Sequence, residues 1–168
     1  MRLLVDTNVF LDIALKRENG CKDALEFFIW CRKHRNQTYV TSMSIRDIEY
    51  VASRYLHDHK KANIVISNVY SLVSKVVGIS ADCAINAIYE DYKDFEDELI
   101  VQAAKENLLD AIVTNNIKDF ENKGVPVYTP KEIMQKNISF IVCYLYIHRY
   151  FPSYCKNALY ALNNNYRY

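Results

Sequence analysis

Apolar residues in this chain fall into short continuous runs separated by longer stretches of helical period. Leu3-Leu4-Val5 reads as a buried strand followed at once by Asp6-Thr7-Asn8, with Thr7 or Asn8 expected to cap a helix from Asn8 to Leu15. Gly20 to Lys33 carries Ala24, Leu25, Phe28 and Ile29 at helical spacing, and Thr38-Tyr39-Val40-Thr41 is a β-prone run. Ser42-Met43-Ser44 is expected to cap a helix through Leu56, with another helix from His57 to Lys75. Val76-Val77-Gly78-Ile79 reads as a third strand, helices start from Ala81 and Asp94, and Ala111-Ile112-Val113-Thr114 is a fourth strand. Val125-Pro126-Val127-Tyr128 closes the series as an edge strand, where proline is tolerable. Strands alternating with helices predict an α/β fold with a parallel sheet covered on both faces.

Composition narrows this picture. At 168 residues and 51% apolar, the chain can bury one good core, and only three Gly and three Pro favour long helices over a turn-rich β architecture. A net charge of +1 argues against wholesale wrapping of nucleic acid. Local charge is more telling: Ser80 to Asp110 holds nine Asp/Glu against two Lys. The five cysteines are scattered without a Cys-x-x-Cys pair, so neither a disulfide framework nor a zinc site follows. The amino terminus enters a strand pattern directly, without the marks of a signal peptide, and a reduced, cytoplasmic setting is expected.

The last thirty residues differ from the rest. Ser139 to Tyr168 holds seven of the fourteen tyrosines, with His148, Arg149, Lys156 and Arg167 and no acidic residue. The apolar run Ile138 to Tyr146 is too short for a bilayer, which takes about 20 residues. Residues 137–168 are therefore read as a basic, Tyr-rich extension that adds a helix on the domain or a second subunit; a basic aromatic surface for nucleic acid and a poorly ordered appendage are the alternatives.

Four acidic positions carry the candidate chemistry. Asp6 ends the first strand, and ligands bind in the crevice outside the carboxyl ends of strands in open parallel sheets. In the helix that starts at Asp94-Phe95-Glu96-Asp97-Glu98, Val101, Ala104 and Leu108 fall within about 40° of Asp97 and Ile100 within about 60°. Asp97 thus lies on the apolar stripe, Asp94 near the same side, Glu98 at the margin and Glu96 pointing away. A carboxylate on a buried face is costly unless paired, protonated or bound to a cation. In the helix after Ser42, Asp47 and Glu49 flank the apolar line Ile48, Val51, Ala52 and Tyr55 by about 100° each, and Asp47 is favoured because it is nearer the strand ends. After the fourth strand, Thr114, Asn116 and Asp119 emerge at the same sheet edge as Asp6 and offer further oxygen groups.

Several carboxylates at one mouth repel one another and ask for a divalent cation. All-oxygen ligation suits Mg²⁺ or Mn²⁺ better than zinc. Such ions activate water and neutralise phosphodiester charge during in-line attack, so a nuclease is the economical expectation.

The ordered set Val5-Asp6-Thr7-Asn8, Ser44-Ile45-Arg46-Asp47-Ile48, Asp94-Phe95-Glu96-Asp97 and Val113-Thr114-Asn115-Asn116-Ile117-Lys118-Asp119-Phe120 resembles a PIN domain, most of all the VapC-like toxin branch. The resemblance covers residues 1–136, including the closing Val127-Tyr128-Thr129-Pro130-Lys131-Glu132. It implies a three-layer α/β/α sandwich and an Mg²⁺- or Mn²⁺-dependent endoribonuclease acting on single-stranded or loop RNA as the toxin of a type II toxin–antitoxin pair. By that likeness Asp6 and Asp97 match the metal-binding acids, Asp47 the second acidic position, and Asn116 or Asp119 the fourth, while Thr7, Asn8 and Thr114 match polar positions lining the site. A cognate antitoxin and a homodimer are implied in the same way, with no membrane. Asn115 departs from the pattern, since many relatives carry Arg there. Arg46 and Lys118 are candidate phosphate contacts.

Two other readings stay open. A catalytically inactive PIN-like module would serve binding or scaffolding. An aspartate-nucleophile phosphatase of the haloacid dehalogenase type also starts from an Asp after a first strand, but wants a second Asp where this chain has Asn8.

Overall fold

Alternating strands and helices resolve into a five-stranded, wholly parallel sheet of order β3-β2-β1-β4-β5 in the computed structural model, which describes residues 1–90, 94–120 and 122–136. The strands are β1 (Arg2–Val5), β2 (Gln37–Thr41), β3 (Lys75–Val77), β4 (Ala111–Val113) and β5 (Val127–Tyr128). Helices α1 (Thr7–Ala14), α2 (Cys21–Lys33), α3 (Ser42–Leu56), α4 (His59–Leu72), α5 (Ala81–Tyr89) and α6 (Phe95–Glu106) form the crossovers of a three-layer α/β/α sandwich. The chain divides into two compact units, Met1–Ile133 and Met134–Tyr168. The expected C-terminal extension at 137–168 lies outside the described residues.

This strand order creates the site's position. From β1 the chain builds outward through β2 to β3, then returns to place β4 on the other side of β1. Crossovers leave β1 and β4 in opposite directions there, and the crevice between their carboxyl ends is the topological switch point where α/β sheets bind ligands. Register completes the placement: Val5 pairs with Val113, so the next residues, Asp6 and Thr114, stand side by side. The Asp6 amide donates to Val113 O at 2.9 Å and the Thr114 amide to Tyr128 O at 3.0 Å, which extends the ladder one residue past each strand.

Packing rests on strands buried on both faces and on aromatic knobs from the first helices. Leu3, Leu4, Val5, Val40, Ala111, Ile112 and Val113 are buried, as parallel strands under two helical layers must be. Phe10 packs on Phe28, which in turn meets Phe27 edge-on at 5.1 Å between ring centroids. Truncating such a buried ring to Ala costs about 3–5 kcal/mol. Past β5, Thr129 and Glu132 form a reciprocal capping box: Thr129 N donates to Glu132 Oε2 at 2.8 Å, and Glu132 N donates to Thr129 Oγ1 at 3.1 Å. Pro130 opens that helix, and Ile133 is buried in the first unit's core.

Local expectations needed correction where side-chain direction or end geometry decided. Asp6, and neither Thr7 nor Asn8, occupies the N-cap position of α1. Thr41, one residue before the expected cap, caps α3 through its Oγ1, which accepts from Ser44 N at 2.9 Å. The helix expected from His57 to Lys75 is shorter: His57 is left-handed, Asp58 caps α4, and Lys75 already belongs to β3. On α2, Leu25 and Ile29 are exposed, while Phe27 and Cys31 share the buried face with Ala24 and Phe28. On α3, Tyr55 is exposed although it falls on the apolar line. Leu108 lies beyond the end of α6 with positive φ and is 77% exposed, so the apolar stripe under Asp97 stops at Ala104.

Candidate active site

The carboxylate of Asp6 is buried at the switch point. Thr114 Oγ1 donates to Asp6 Oδ2 at 2.7 Å, and Asn8 Nδ2 donates to the same oxygen at 2.6 Å. Asn8 also donates to Thr114 Oγ1 at 2.9 Å, and the amide of Asn116 donates to that hydroxyl at 3.0 Å. Thr114 is fully buried and Asp6 only 5% exposed. Burial pushes Asp6 up to about 6, the charge of Asp119 adds to the rise, and the Thr114 hydroxyl with the Thr7 and Asn8 amides offsets part of it.

Asp97 arrives from the first turn of α6, which is held open by its cap: Asp94 Oδ1 accepts from Glu96 N at 2.8 Å. Burial and the charges of Asp6, Asp94 and Asp119 push Asp97 up to about 7. Asp119 comes from the 3-10 turn Ile117–Asp119 and accepts a short bond from Asn116 Nδ2. Asp6, Asp97, Asp119, Thr114 and Asn116 therefore lie around one mouth, although they span the chain from residue 6 to residue 119.

The acids of α3 separate. Asp47 faces Glu96 of α6, and this contact together with burial and the charges of Asp47, Asp94 and Asp6 pushes Glu96 up to about 7. Arg46 engages Asp47 Oδ1, while Oδ2 is buried without a hydrogen-bond partner among the described residues. Two facing carboxyls need a shared proton or a cation between them. Glu49 instead turns to His59 Nδ1 at 3.3 Å, away from this group.

Sequence periodicity misjudged Glu96, which was expected to point away. Angular separation on a wheel matters along a helix, but side chains of the first turn all stand at the helix end, where each can reach a group in front of it. Glu98, expected at the margin, is 1% exposed and paired: Lys123 Nζ lies 3.0 Å from Oε2, and Gln102 Nε2 donates to Oε1 at 2.7 Å. Thr7 Oγ1 is buried without a partner among the described residues, so of the two polar side chains after Asp6 only that of Asn8 bonds into the site, while Thr7 contributes its backbone amide.

Beside the acids lies a cleft of about 580 Å³ whose lining includes Asn8, Asp12, Arg17, Gly20, Asn115 and Asn116. Asp12 was not anticipated from the sequence. Its signal was there, since Asn8 and Asp12 are four residues apart and share one face of α1. Asn115 links the two: its amide donates to Asn8 Oδ1 at 3.1 Å and its Nδ2 to Asp12 Oδ2 at 2.6 Å.

Comparison with known proteins agrees with this architecture. A family model described as PIN domain matches residues 2–118. Among solved structures, VapBC2 from Rickettsia felis, bound to a promoter DNA fragment, aligns with TM-score 0.58 at 18% identity over 77% of this chain and 98% of that one. VapC20 of Mycobacterium tuberculosis, a Sarcin-Ricin loop cleaving toxin, aligns with TM-score 0.58 at 15% identity over 73% of this chain and 95% of that one. VapBC-1 from nontypeable Haemophilus influenzae aligns with TM-score 0.59 at 10% identity over 78% and 99% of the two chains. No curated protein matches the sequence. With a five-stranded parallel sheet of this order, acids gathered at its switch point and the family model spanning most of the chain, the protein belongs to the PIN domain family.

Proposed function

We propose that this chain is a metal-dependent endoribonuclease that cuts single-stranded or loop RNA, acting as the toxin of a toxin–antitoxin pair. The observation that carries the reading is the gathering of Asp6, Asp97, Asp119 and the Asp47–Glu96 pair at one sheet edge, with the carboxyls of Asp6, Asp97 and Glu96 pushed up by burial and by neighbouring acids. Such an arrangement is unfavourable for an apoprotein and favourable once a divalent cation neutralises it.

The donors suit Mg²⁺ or Mn²⁺: carboxylate and amide oxygens, with no His or Cys among them. Among the described residues no three acidic, His or Cys side chains already close on one point, which fits an ion that keeps several of its waters more than a caged one. Asp6, Asp97, Asp47 and Asp119 would hold the ion. When bound, it supplies charge neutralisation at the phosphodiester and a more acidic water. Thr114 and Asn8 orient the Asp6 carboxylate, Asp47 holds the ion or accepts a proton from the attacking water, and Asn116 steadies Asp119. Arg46 and Lys118 contact flanking phosphates. A cognate antitoxin protein and a homodimer belong to the same reading, supported by neighbours solved as toxin–antitoxin complexes. The cytoplasm is the setting this activity needs; among the described residues no helix is long and apolar enough to cross a membrane.

The test mixes purified protein with structured RNAs and Mn²⁺ and sequences the new ends. Discrete cuts by wild type, absent with Asp6→Asn or Asp97→Asn, are expected; unchanged cleavage by either variant overturns the mechanism. Calorimetric titration with Mn²⁺ separates this from a binding-only module, for which no uptake at millimolar metal is expected.

A further inference from the structure

The cleft beside the acids presents hydrogen-bonding groups that the fold itself does not use. Asp12 is closed off: it is 7% exposed, its Oδ2 takes Asn115 Nδ2 at 2.6 Å and its Oδ1 takes Arg17 Nη1 at 3.4 Å. These contacts fix Asn115 through its backbone amide and one of its two Nδ2 hydrogens, and leave its Oδ1 acceptor without a partner among the described residues. Arg17 is held by that one long contact, its side chain 46% exposed, so most of its five N–H donors remain available. The side-chain amide of Asn19, on the lining, has no partner among the described residues, which leaves a donor and an acceptor side by side.

Gly20 is what lets this floor exist. A Cβ at that position would stand 1.8 Å from Asp12 Oδ2 and 2.4 Å from its Cγ, so any side chain there would expel Asp12 and with it the anchors of Asn115 and Arg17. The cleft's volume lies in the range of small-ligand sites. Its lining offers a planar cation, a donor–acceptor amide and a fixed carbonyl, with the Glu18 carboxylate as a further acceptor, and donors and acceptors so mixed complement a base edge. Guanidinium and amide groups read bases bidentately, and the bases of unpaired RNA are splayed out and bound at their edges or stacked on Arg planes. Continuity with the acids is a single side chain: Asn8 donates to Asp6 and accepts from Asn115.

We propose that this cleft is a base-recognition subsite, in which Arg17, Asn19 and Asn115 read the nucleobase of the ribonucleotide adjoining the phosphodiester held at Asp6. It rests on the nuclease reading above and adds to it what selects the cut. Asp12 and Gly20 are positioning residues of this subsite.

The test cuts a short single-stranded RNA pool of randomised sequence with wild type, Arg17→Ala, Asn19→Ala and the exposed control Lys22→Ala in Mn²⁺, and sequences the ends. Wild type and Lys22→Ala are expected to enrich one base or base class next to the cut, and Arg17→Ala and Asn19→Ala to flatten that enrichment about tenfold, the scale of one lost bidentate contact. Wild-type enrichment retained by both cleft variants overturns the subsite alone. No cleavage by wild type overturns the nuclease reading and the subsite with it. A companion measurement is fluorescence anisotropy of four oligonucleotides, differing at that nucleotide, bound to Asp97→Asn protein with and without Arg17→Ala. It covers variants that cut too slowly to sequence: loss of discrimination with Arg17→Ala supports the subsite, and equal affinity for all four in both proteins overturns it.

Discussion

Asp97 and Glu98 are adjacent on one helix, and the fold treats them in opposite ways. Glu98 is the more deeply buried, yet Lys123 and Gln102 satisfy it, so its carboxylate belongs to the framework. Asp97 is only half-buried but faces Asp6, Asp94 and Asp119, and among the described residues no cation pairs with it. Burial alone therefore does not mark a functional acid. What marks it is burial among like charges, where the structure bears an electrostatic cost that only a ligand or a proton relieves.

Charge-neutral variants break this comparison most sharply. Asp97→Asn and Asp6→Asn are expected to lower RNA cleavage by roughly 10²–10³-fold or more through lost metal binding and transition-state charge stabilisation, while the metal-free protein remains at least as resistant to urea as wild type. Lys123→Met should do the reverse. Leaving Glu98 buried and unpaired costs about 3 kcal/mol in urea unfolding, with cleavage per folded molecule retained. If Lys123→Met abolished cleavage in folded protein, the framework role of the Glu98 pair would be wrong.

Stability against pH sharpens the contrast. Burial raises Asp6 from 3.8 to about 6 and Asp97 from 3.8 to about 7, so the folded state binds these protons more tightly than the unfolded chain does. Their contribution is full below the unfolded value near 4 and is lost as pH rises through 6 to 7. Metal-free protein should therefore lose urea resistance between about pH 4 and 7, and Asp6→Asn should remove about 1–3 kcal/mol of that loss. Millimolar Mg²⁺ should restore the midpoint at pH 8 in wild type and less in the variant. A wild-type loss identical to that of Asp6→Asn counts against the crowded-acid account.

A smaller effect is expected at Thr114. Thr114→Val removes a hydroxyl bond to a buried carboxylate, worth about 1–2 kcal/mol, and should move the pH at which cleavage sets in upward, with Thr114→Ser close to wild type. The smallest separates the two acids of α3. Glu49→Gln should change stability by less than about 0.5 kcal/mol and leave metal uptake intact, since its partner is an exposed His59; Asp47→Asn should weaken Mn²⁺ binding measured by calorimetry.

Much of this was legible in the chain itself. Period and run length located every strand, because the central parallel strands carry short apolar runs that end at polar residues, Asp6 after β1, Thr41 at the end of β2 and Thr114 after β4. Asp97 stood out as an acid on an apolar stripe. Glu96, Glu98 and Asp12 were misread or passed over for one reason: their roles come from partners distant in sequence, Asp47 for the first, Lys123 for the second, Asn115 for the third. A helical wheel reports which side a residue is on, and says nothing of what stands opposite.

The sequence by itself determined the elements, their parallel pairing and the residue types that gather at strand ends, since these follow from local period, capping chemistry and the handedness of crossovers. Tertiary structure alone decided which carboxylates face one another, that Asp47 and not Glu49 meets the group, and that Glu98 is neutralised while Asp97 is not. The physical reason is that Coulomb and desolvation energies depend on distance and burial in space, which strand order and register fix and sequence separation does not.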